Sequence, residues 1–520
     1  MNLLHYATEN IRPFAYRPGI LAVAGVLLLA GCSLGPKYHR PQVEVPPAFK
    51  EAPPAYKEAG NWKTAQPNEV GFRGNWWEIF QDPQLNALEE QVNISNQNLK
   101  AAEAQYTQAR ALVRYSRADY FPTVAVGASA SRVRTSGNRA PVNAIGNGRT
   151  NNDFQLPLEL SYEIDAWGRV RHNVEASREE AQASAADLAT VNLSVHAQLA
   201  LFYFQARNLD AQEQLLKSTV AQYEQALQLN QARFDGGVGS EVEVEQARTQ
   251  LETTRAQFID VGVARAQFEH AVATLIGKPA GSFTLPPLPL RTPPPAIPAG
   301  VPSELLERRP DIASAERRMA AANARIGVAK AAYYPLLSLT GAGGVESGAI
   351  TTLLQGPSGL WALGGQALQT LFDGGRRRAA SDQATAAYDQ TVAAYRETVL
   401  TSFQQVEDNL AALRILENEA RTQNVAVVAA QKSLDLSTQR YKGGVTSYLE
   451  VTTAQSAALA DEVTAVNILG RRMVAAVQLI EALGGGWDSA SLPQRPECCG
   501  KLVSAKPAPG IAADKSNQFH

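Results

Sequence analysis

The sequence predicts a mainly α-helical protein with membrane-type β-hairpins, built as a duplicated half-molecule. Three observations predict it. A run free of proline and glycine extends from Arg169 to Phe234, another from Arg376 to Tyr441, and each ends in a glycine turn. The two superpose at one offset of 207 (375 − 168), which sets Gly168 on Gly375, Arg233 on Arg440, Ser240 on Ser447 and Glu243 on Glu450. A repeat that long is a half-molecule and not a solenoid unit. Before each run, the hydrophobic period shortens from helical spacing towards alternation.

The ends come next. Arg12 and Arg17 precede an apolar run from Gly19 to Ala30, closed by Leu29-Ala30-Gly31-Cys32. A basic start, a short apolar core and small residues before a cut describe a secretory signal over residues 1–31. No later run of apolar residues is long enough for a transmembrane helix, so a crossing has to be made by strands. With 48 basic and 50 acidic residues the net charge is −2, which gives no support to nucleic-acid binding. The histidines show no ligand spacing, and no Ser/His/Asp set, phosphate loop or zinc-type cysteine pair occurs. Neither enzyme activity nor a cofactor nor a metal is expected. Cys498 and Cys499 are adjacent in a polar tail and receive no role.

Residues 32–80 form a proline-rich arm. The first repeat spans 81–277 and opens with Asp82-Pro83, a helix cap followed by proline at the first helical position. A helix from Gln84 to about Tyr120 leads to a hairpin over 121–166, in which Leu156, Leu158, Leu160, Tyr162 and Ile164 alternate with Glu159, Ser161 and Glu163. The long helix, the turn Gly236-Gly237-Val238 and a helix from Glu241 to Ile276 complete it. Residues 278–302 are a proline-rich linker. The second repeat, 303–483, runs in the same order, with a hairpin over 334–373, the turn Gly443-Gly444-Val445 and a last helix from Tyr448. A flexible tail is expected over 484–520. Arg265 and Arg472 interrupt apolar seams at equivalent places and are expected to face a lumen.

The seam of the first long run is Val195, Leu199, Phe202, Ala206, Leu209, Glu213, Leu216, Val220, Tyr223, Leu227, Asn230 and Phe234. Only Glu213 and Asn230 break its apolar character, so it reads as a coiled-coil seam. At ~1.5 Å per residue such a helix is about 100 Å long. Two short helices stacked end to end match it. Four strands per chain cannot close a barrel, and an open edge in lipid leaves backbone groups unpaired. Two chains give eight strands and a filled interior, whereas three give a 12-stranded β-barrel with a lumen over a trimeric α-helical tunnel.

The order of lipobox-like cysteine, Gly35-Pro36-Lys37-Tyr38 arm, Phe121-Pro122 hairpin, long helix and Gly-Gly-Val turn, with the hairpin, long helix and turn repeated, resembles the outer-membrane efflux family. The resemblance is to TolC-like proteins, and within them to the lipoprotein branch of OprM and NodT type. The run Arg308-Arg309-Pro310-Asp311-Ile312-Ala313 is similar to that branch's signature. The resemblance implies lipidation at Cys32, a homotrimer in the outer membrane, and partners in a periplasmic adaptor and an inner-membrane pump. It implies that Gly236, Gly237, Val238, Gly443, Gly444 and Val445 form the periplasmic tip and adaptor-docking surface. Around them Arg233, Asp235, Glu243, Arg440, Tyr441, Lys442 and Glu450 are candidates for a closing network. Thr453 stands where the family often has Asp. The expected role is a passive exit duct for small toxic compounds. Export of proteins or polysaccharides, or a structural periplasmic coiled-coil lipoprotein, remain the alternatives.

Overall fold

The computed structural model describes residues 34–51, 74–134, 136, 150–298 and 300–493. Cys32, Cys498 and Cys499 lie outside them. In chain order the elements are α1 (Pro83–Ser95), α2 (Gln97–Ala118), β1 (Thr123–Val126), β2 (Ser129–Arg134) and β3 (Thr150–Ile164). These lead into α3 (Arg169–Asp235), α4 (Glu241–Leu275), α5 (Pro302–Arg308) and α6 (Pro310–Ala331). The chain ends in β4 (Leu336–Ser347), β5 (Gly359–Leu368), α7 (Arg376–Lys442) and α8 (Tyr448–Ala482).

The two long helices have 67 residues each and the two tip helices 35 each. The short helices on the sheet side are broken where the sequence suggests continuity. Asn96 leaves the helical region (φ −64°, ψ 127°), caps the Leu99 N–H and donates its amide to the Leu275 carbonyl. That exchange satisfies groups at the ends of α2 and α4 together. In the second repeat the break falls at Arg309, because Pro310 pushes the preceding residue out of helix.

The halves interleave. Near the sheet, α3 is flanked by α2, through Ser116 and Ser177, and by α6, through Arg317 to Glu179 and Arg318 to Asp187. Towards the other end it meets α4, through Arg255 to Glu224, and α8, through the Tyr223 hydroxyl to the Gln455 carbonyl. The helices α6 and α8 therefore lie between the long helices, with α2 and α4 beyond α3. The lateral order is α2/α4, α3, α6/α8, α7. Helix α8 is long and apolar enough by composition to cross a membrane, although charged residues interrupt its apolar run in the sequence. It packs instead against α7 and α3.

Midway along the molecule the core gathers Trp76, Trp77, Leu85, Leu199, Tyr203, Tyr395 and Val477. The proline-rich linker is part of this belt: Leu285 is buried and the Leu290 N–H donates to the Arg207 carbonyl. Arg265 departs from expectation. It is 14 % exposed and held by Asp210, Glu269 and the Leu285 carbonyl, so partners on the protein compensate its charge without an aqueous lumen. Arg472 is half-buried, with its Nε unpartnered among the described residues. Residues 484–493 pack on the body as well, with the Gln182 side chain donating to the Pro493 carbonyl.

One antiparallel sheet has the order β1/β2–β3–β4–β5. In effect, β1 and β2 are one strand. Their partners on β3 share a constant register, Val126 with Leu158 and Ser129 with Gln155, and the gap lies opposite Pro157, which has no N–H to give. On the other side of Pro157 stands Gly344, where an added Cβ meets the Leu156 carbonyl oxygen at 2.3 Å. Opposed residues share a face. One face accordingly carries Val124, Val126, Leu158, Leu160, Leu339, Trp361 and Leu363, and the other Thr123, Glu159, Ser161, Glu163, Ser338 and Gln366.

Candidate functional site

The end opposite the sheet is made by two glycine turns. Helix α3 closes through Gly237 N–H to the Phe234 carbonyl and Val238 N–H to the Arg233 carbonyl. Helix α7 closes identically, through Gly444 to Tyr441 and Val445 to Arg440. Only the second glycine of each pair needs its freedom: Gly237 has φ +72° and Gly444 +71°. The next helix starts at Ser240, whose side chain forms a capping box with Glu243. Each turn leaves one apolar knob in solvent, Val238 at 72 % and Val445 at 70 % exposure.

Behind the turns the two repeats are tied together by unequal chemistry. The Tyr441 hydroxyl on α7 donates to Asn230 Oδ1 on α3 and lies 3.2 Å from Glu243 Oε2 on α4. The Arg233 guanidinium sits 5.0 Å from the centre of the Tyr441 ring, a cation–π arrangement. Tyr448 packs on Tyr441 at 5.2 Å, with Val451 and Ala247 closing the cluster. Burial, followed by the Glu243 charge, pushes the Tyr441 hydroxyl pKa up; burial lifts Tyr448 to about 12. Both phenols therefore remain neutral donors at any physiological pH.

Of the residues singled out by sequence, Arg233, Tyr441 and Glu243 are brought together. Arg440 and Glu450 form a separate pair at 3.5 Å, with both side chains about half exposed. Asp235 accepts from Gln231, one turn earlier on its own helix, and Lys442 is exposed. Asn230 was not singled out, though the seam carried a signal. A buried asparagine among apolar seam positions has to find a partner, and Asn230 finds Tyr441 from the other repeat. Thr453 lines a cleft of about 620 Å³ between α4 and α8, with Glu241, Glu245, Gln246, Thr249 and Ser456.

The fold and this end define a class: an elongated helical channel subunit with a strand-forming end for lipid and a tip that pins two helical hairpins together. The profile of outer membrane efflux proteins matches residues 88–278 and 301–485, one stretch in each repeat, and the chain belongs to that family. It is 32 % identical over 473 residues to the toluene efflux pump outer membrane protein TtgF of Pseudomonas putida, covering 91 % of this chain and 97 % of that one. It is 30 % identical to the cation efflux system protein CusC of Escherichia coli, over 90 % of this chain and 99 % of that one. Among solved structures, the outer-membrane channel OprN superposes with a TM-score of 0.79 at 29 % identity, covering 88 % of this chain and all of that one. The CmeC outer membrane channel of Campylobacter jejuni gives 0.80 at 28 % identity, covering 88 % and 96 %. The chain is thus an outer-membrane efflux protein with a TolC-like fold.

Proposed function

We propose that three copies form a lipid-anchored, 12-stranded barrel on a helical tunnel, the passive exit duct for small toxic compounds delivered by an inner-membrane pump through a periplasmic adaptor. The observation that carries this reading is the sheet. Over β1, β3 and β4 it has one mainly apolar and one mainly polar face, with Trp361 and Leu363 of β5 on the apolar one, and among the described residues both edges, β1/β2 and β5, are unpaired. Leu156 to Ile164 extend the apolar stripe of β3 for about 27 Å, enough to cross the hydrocarbon. Lipid tolerates no open edge, so β5 has to pair with the β1/β2 edge of another copy. The helical layer supports the same closure. Helix α7 exposes Leu400, Ile415, Val425 and Val428, and α2 and α4 at the opposite flank expose Leu112, Ile259 and Val263. Joining these unlike flanks is a heterologous contact, which closes into a ring.

The arm supports an anchor at Cys32. Gly35 packs on His172 and Gly327, at the ends of α3 and α6 next to the sheet, and Asn323 donates to the Pro36 carbonyl. Three residues span at most about 10 Å, so the position of Gly35 is compatible with a lipid anchor attached at residue 32. At the far end the Gly236-Gly237-Val238 and Gly443-Gly444-Val445 turns present their valines to the adaptor, and the Tyr441–Asn230 bond with Arg233 and Glu243 holds the tip closed. Particle mass in detergent tests the duct: about three times the mass of one processed chain is expected, the full 520-residue chain being 55.9 kDa, with single-channel conductance in planar bilayers. A purely monomeric, water-soluble rod overturns it.

A further inference from the structure

We propose that the sheet-side ends of the helices form a basic collar that binds the headgroups of anionic phospholipids. The inference rests on the membrane reading of the sheet given above. Six cations stand at this end: Arg110, Arg114 and Arg117 on α2, Lys330 on α6, and Arg376 and Arg378 on α7. All are exposed, and none is paired with a carboxylate among the described residues. Their neighbours differ. Arg169 is bound by Glu163, Arg171 by Asp165, Arg377 by Asp373 and Arg325 by Glu180. Asp119 and Asp382 are exposed carboxylates at this end with no ion pair among the described residues, and the six cations outnumber them.

The repeat shows which way the α2 stripe points. An offset of 213 (334 − 121) sets Arg110 on Asn323 and Arg117 on Lys330. Asn323 holds the Pro36 carbonyl, so this side of the helical layer is the one on which the N-terminal arm lies. Arg110 and Arg117 belong to that same side, the outer one. Exposed aromatics rim the collar towards the sheet: Tyr115 on α2, Phe121 at the first corner, Tyr333 and Tyr334 at the second, and Phe372 before α7. The three tyrosines among them are amphipathic rings of the kind enriched at membrane interfaces. The corners are also rigid, with Trp167 stacked on Tyr334 at 4.9 Å and donating its indole N–H to the Pro335 carbonyl.

A free phosphate or a small anion would need the cations to converge on a cavity. Here they are spread along a rim directly below an apolar sheet face, which fits the plane of headgroups in the leaflet facing the helical body. Each basic residue near an anionic surface raises binding about fivefold at low salt, an effect that screening removes.

The test uses delipidated full-length protein in micelles, offered equal amounts of phosphatidylglycerol and phosphatidylcholine, with bound lipid counted by native mass spectrometry. The wild type is expected to retain phosphatidylglycerol about tenfold in excess at low salt. The variant Arg110→Gln/Arg114→Gln/Arg117→Gln is expected to lose that excess, and Arg376→Gln/Arg378→Gln to lose much of it. A control, Lys217→Gln/Arg421→Gln, removes exposed cations far from the sheet and is expected to keep it. Equal retention by the wild type and the triple variant overturns the collar, as does equal loss in the control. Insertion into phosphatidylcholine vesicles resistant to alkaline extraction is scored separately. Wild-type protein that fails to insert overturns the membrane reading itself.

Discussion

Tyr441→Phe is the sharpest perturbation of the tip. It removes one oxygen and leaves the ring over Arg233 and against Tyr448 in place. Asn230 is 1 % exposed, and its amide nitrogen already donates to the Ala226 carbonyl. The Tyr441 hydroxyl is the donor to its Oδ1. Deleting the hydroxyl therefore leaves a buried acceptor unsatisfied, at a cost of about 1–3 kcal/mol per subunit. If opening separates the α3/α4 hairpin from α7/α8, that cost is borne by the closed state alone. At ~2 kcal/mol the closed-to-open ratio falls about 30-fold for each subunit that moves independently. Single-channel recording in planar bilayers reads the open probability, and thermal unfolding of the same preparation controls for general destabilisation. Arg440→Ala serves as the contrast, because its exposed pair with Glu450 contributes under about 1 kcal/mol. An open probability for Tyr441→Phe no higher than for the wild type, in a protein that remains folded, refutes the latch.

Three further outcomes are expected. Gly344→Ala places a Cβ against the Leu156 carbonyl in the middle of the sheet; sheet distortion costs about 1–3 kcal/mol and lowers the heat resistance of the oligomer on gels. Cys32→Ser is expected to impair anchoring and lower the share of the protein recovered in the outer-membrane fraction, and unchanged fractionation counts against the anchor. Glu89 and His196 form a buried pair at 2.6 Å, with His196 Nε2 3.0 Å from Asn93 Oδ1 and its ring stacked on Trp77. Burial raises the Glu89 pKa well above its ordinary value and lowers that of His196 to about 4. Both groups are thus neutral, with the Glu89 O–H donating to Nδ1. The histidine contribution is present above its ordinary value near 6.5 and is lost as pH falls towards about 4. That of Glu89 is present at low pH and is lost as pH rises through its raised folded value. Glu89→Gln keeps a donor, so thermal unfolding is expected to lose its alkaline limb and keep its acid limb. An unchanged alkaline limb contradicts the neutral pair.

The long helices, the strands and the glycine turns were legible because each is written in local period: a seam at three-to-four spacing, alternation, then Gly-Gly-Val. The equatorial belt was not. Trp76, Trp77, Glu89 and His196 acquire meaning only when α1 meets α3 across about a hundred residues, and no local pattern announces that meeting. Arg265 shows the same limit. Its interruption of an apolar seam was visible, but the partner Asp210 lies one helix away and the Leu285 carbonyl belongs to a segment that reads as a mere linker. At the tip, composition ranked every charge alike, whereas burial separates Tyr441 and Arg233 from the solvated Arg440 and Lys442.

In the ring of copies proposed above, the duplication also implies how one copy would meet the next. Within a chain, α3 meets α6 through Glu179 to Arg317, Glu180 to Arg325 and Asp187 to Arg318. The equivalent contact between copies brings α7 against α2, and the two offsets translate each pair. Glu179 and Arg317 become Ala386 and Ala104, Glu180 and Arg325 become Ala387 and Leu112, and Asp187 and Arg318 become Ala394 and Gln105. A charged ladder inside the subunit is thus replaced on its flanks by an uncharged seam of four alanines with Leu112 and Gln105, and all six of those residues are exposed in the single chain. Small side chains let helices approach closely and bury apolar area without ion desolvation. With Cys498 and Cys499 changed to serine, the double variant Ala104→Cys/Ala386→Cys is expected to give dimers and trimers on gels after a short bis-maleimide. Either single variant is expected to give none of the cyclic product. Cross-linking confined within one chain contradicts the translated interface, because α2 and α7 lie on opposite flanks of the same subunit.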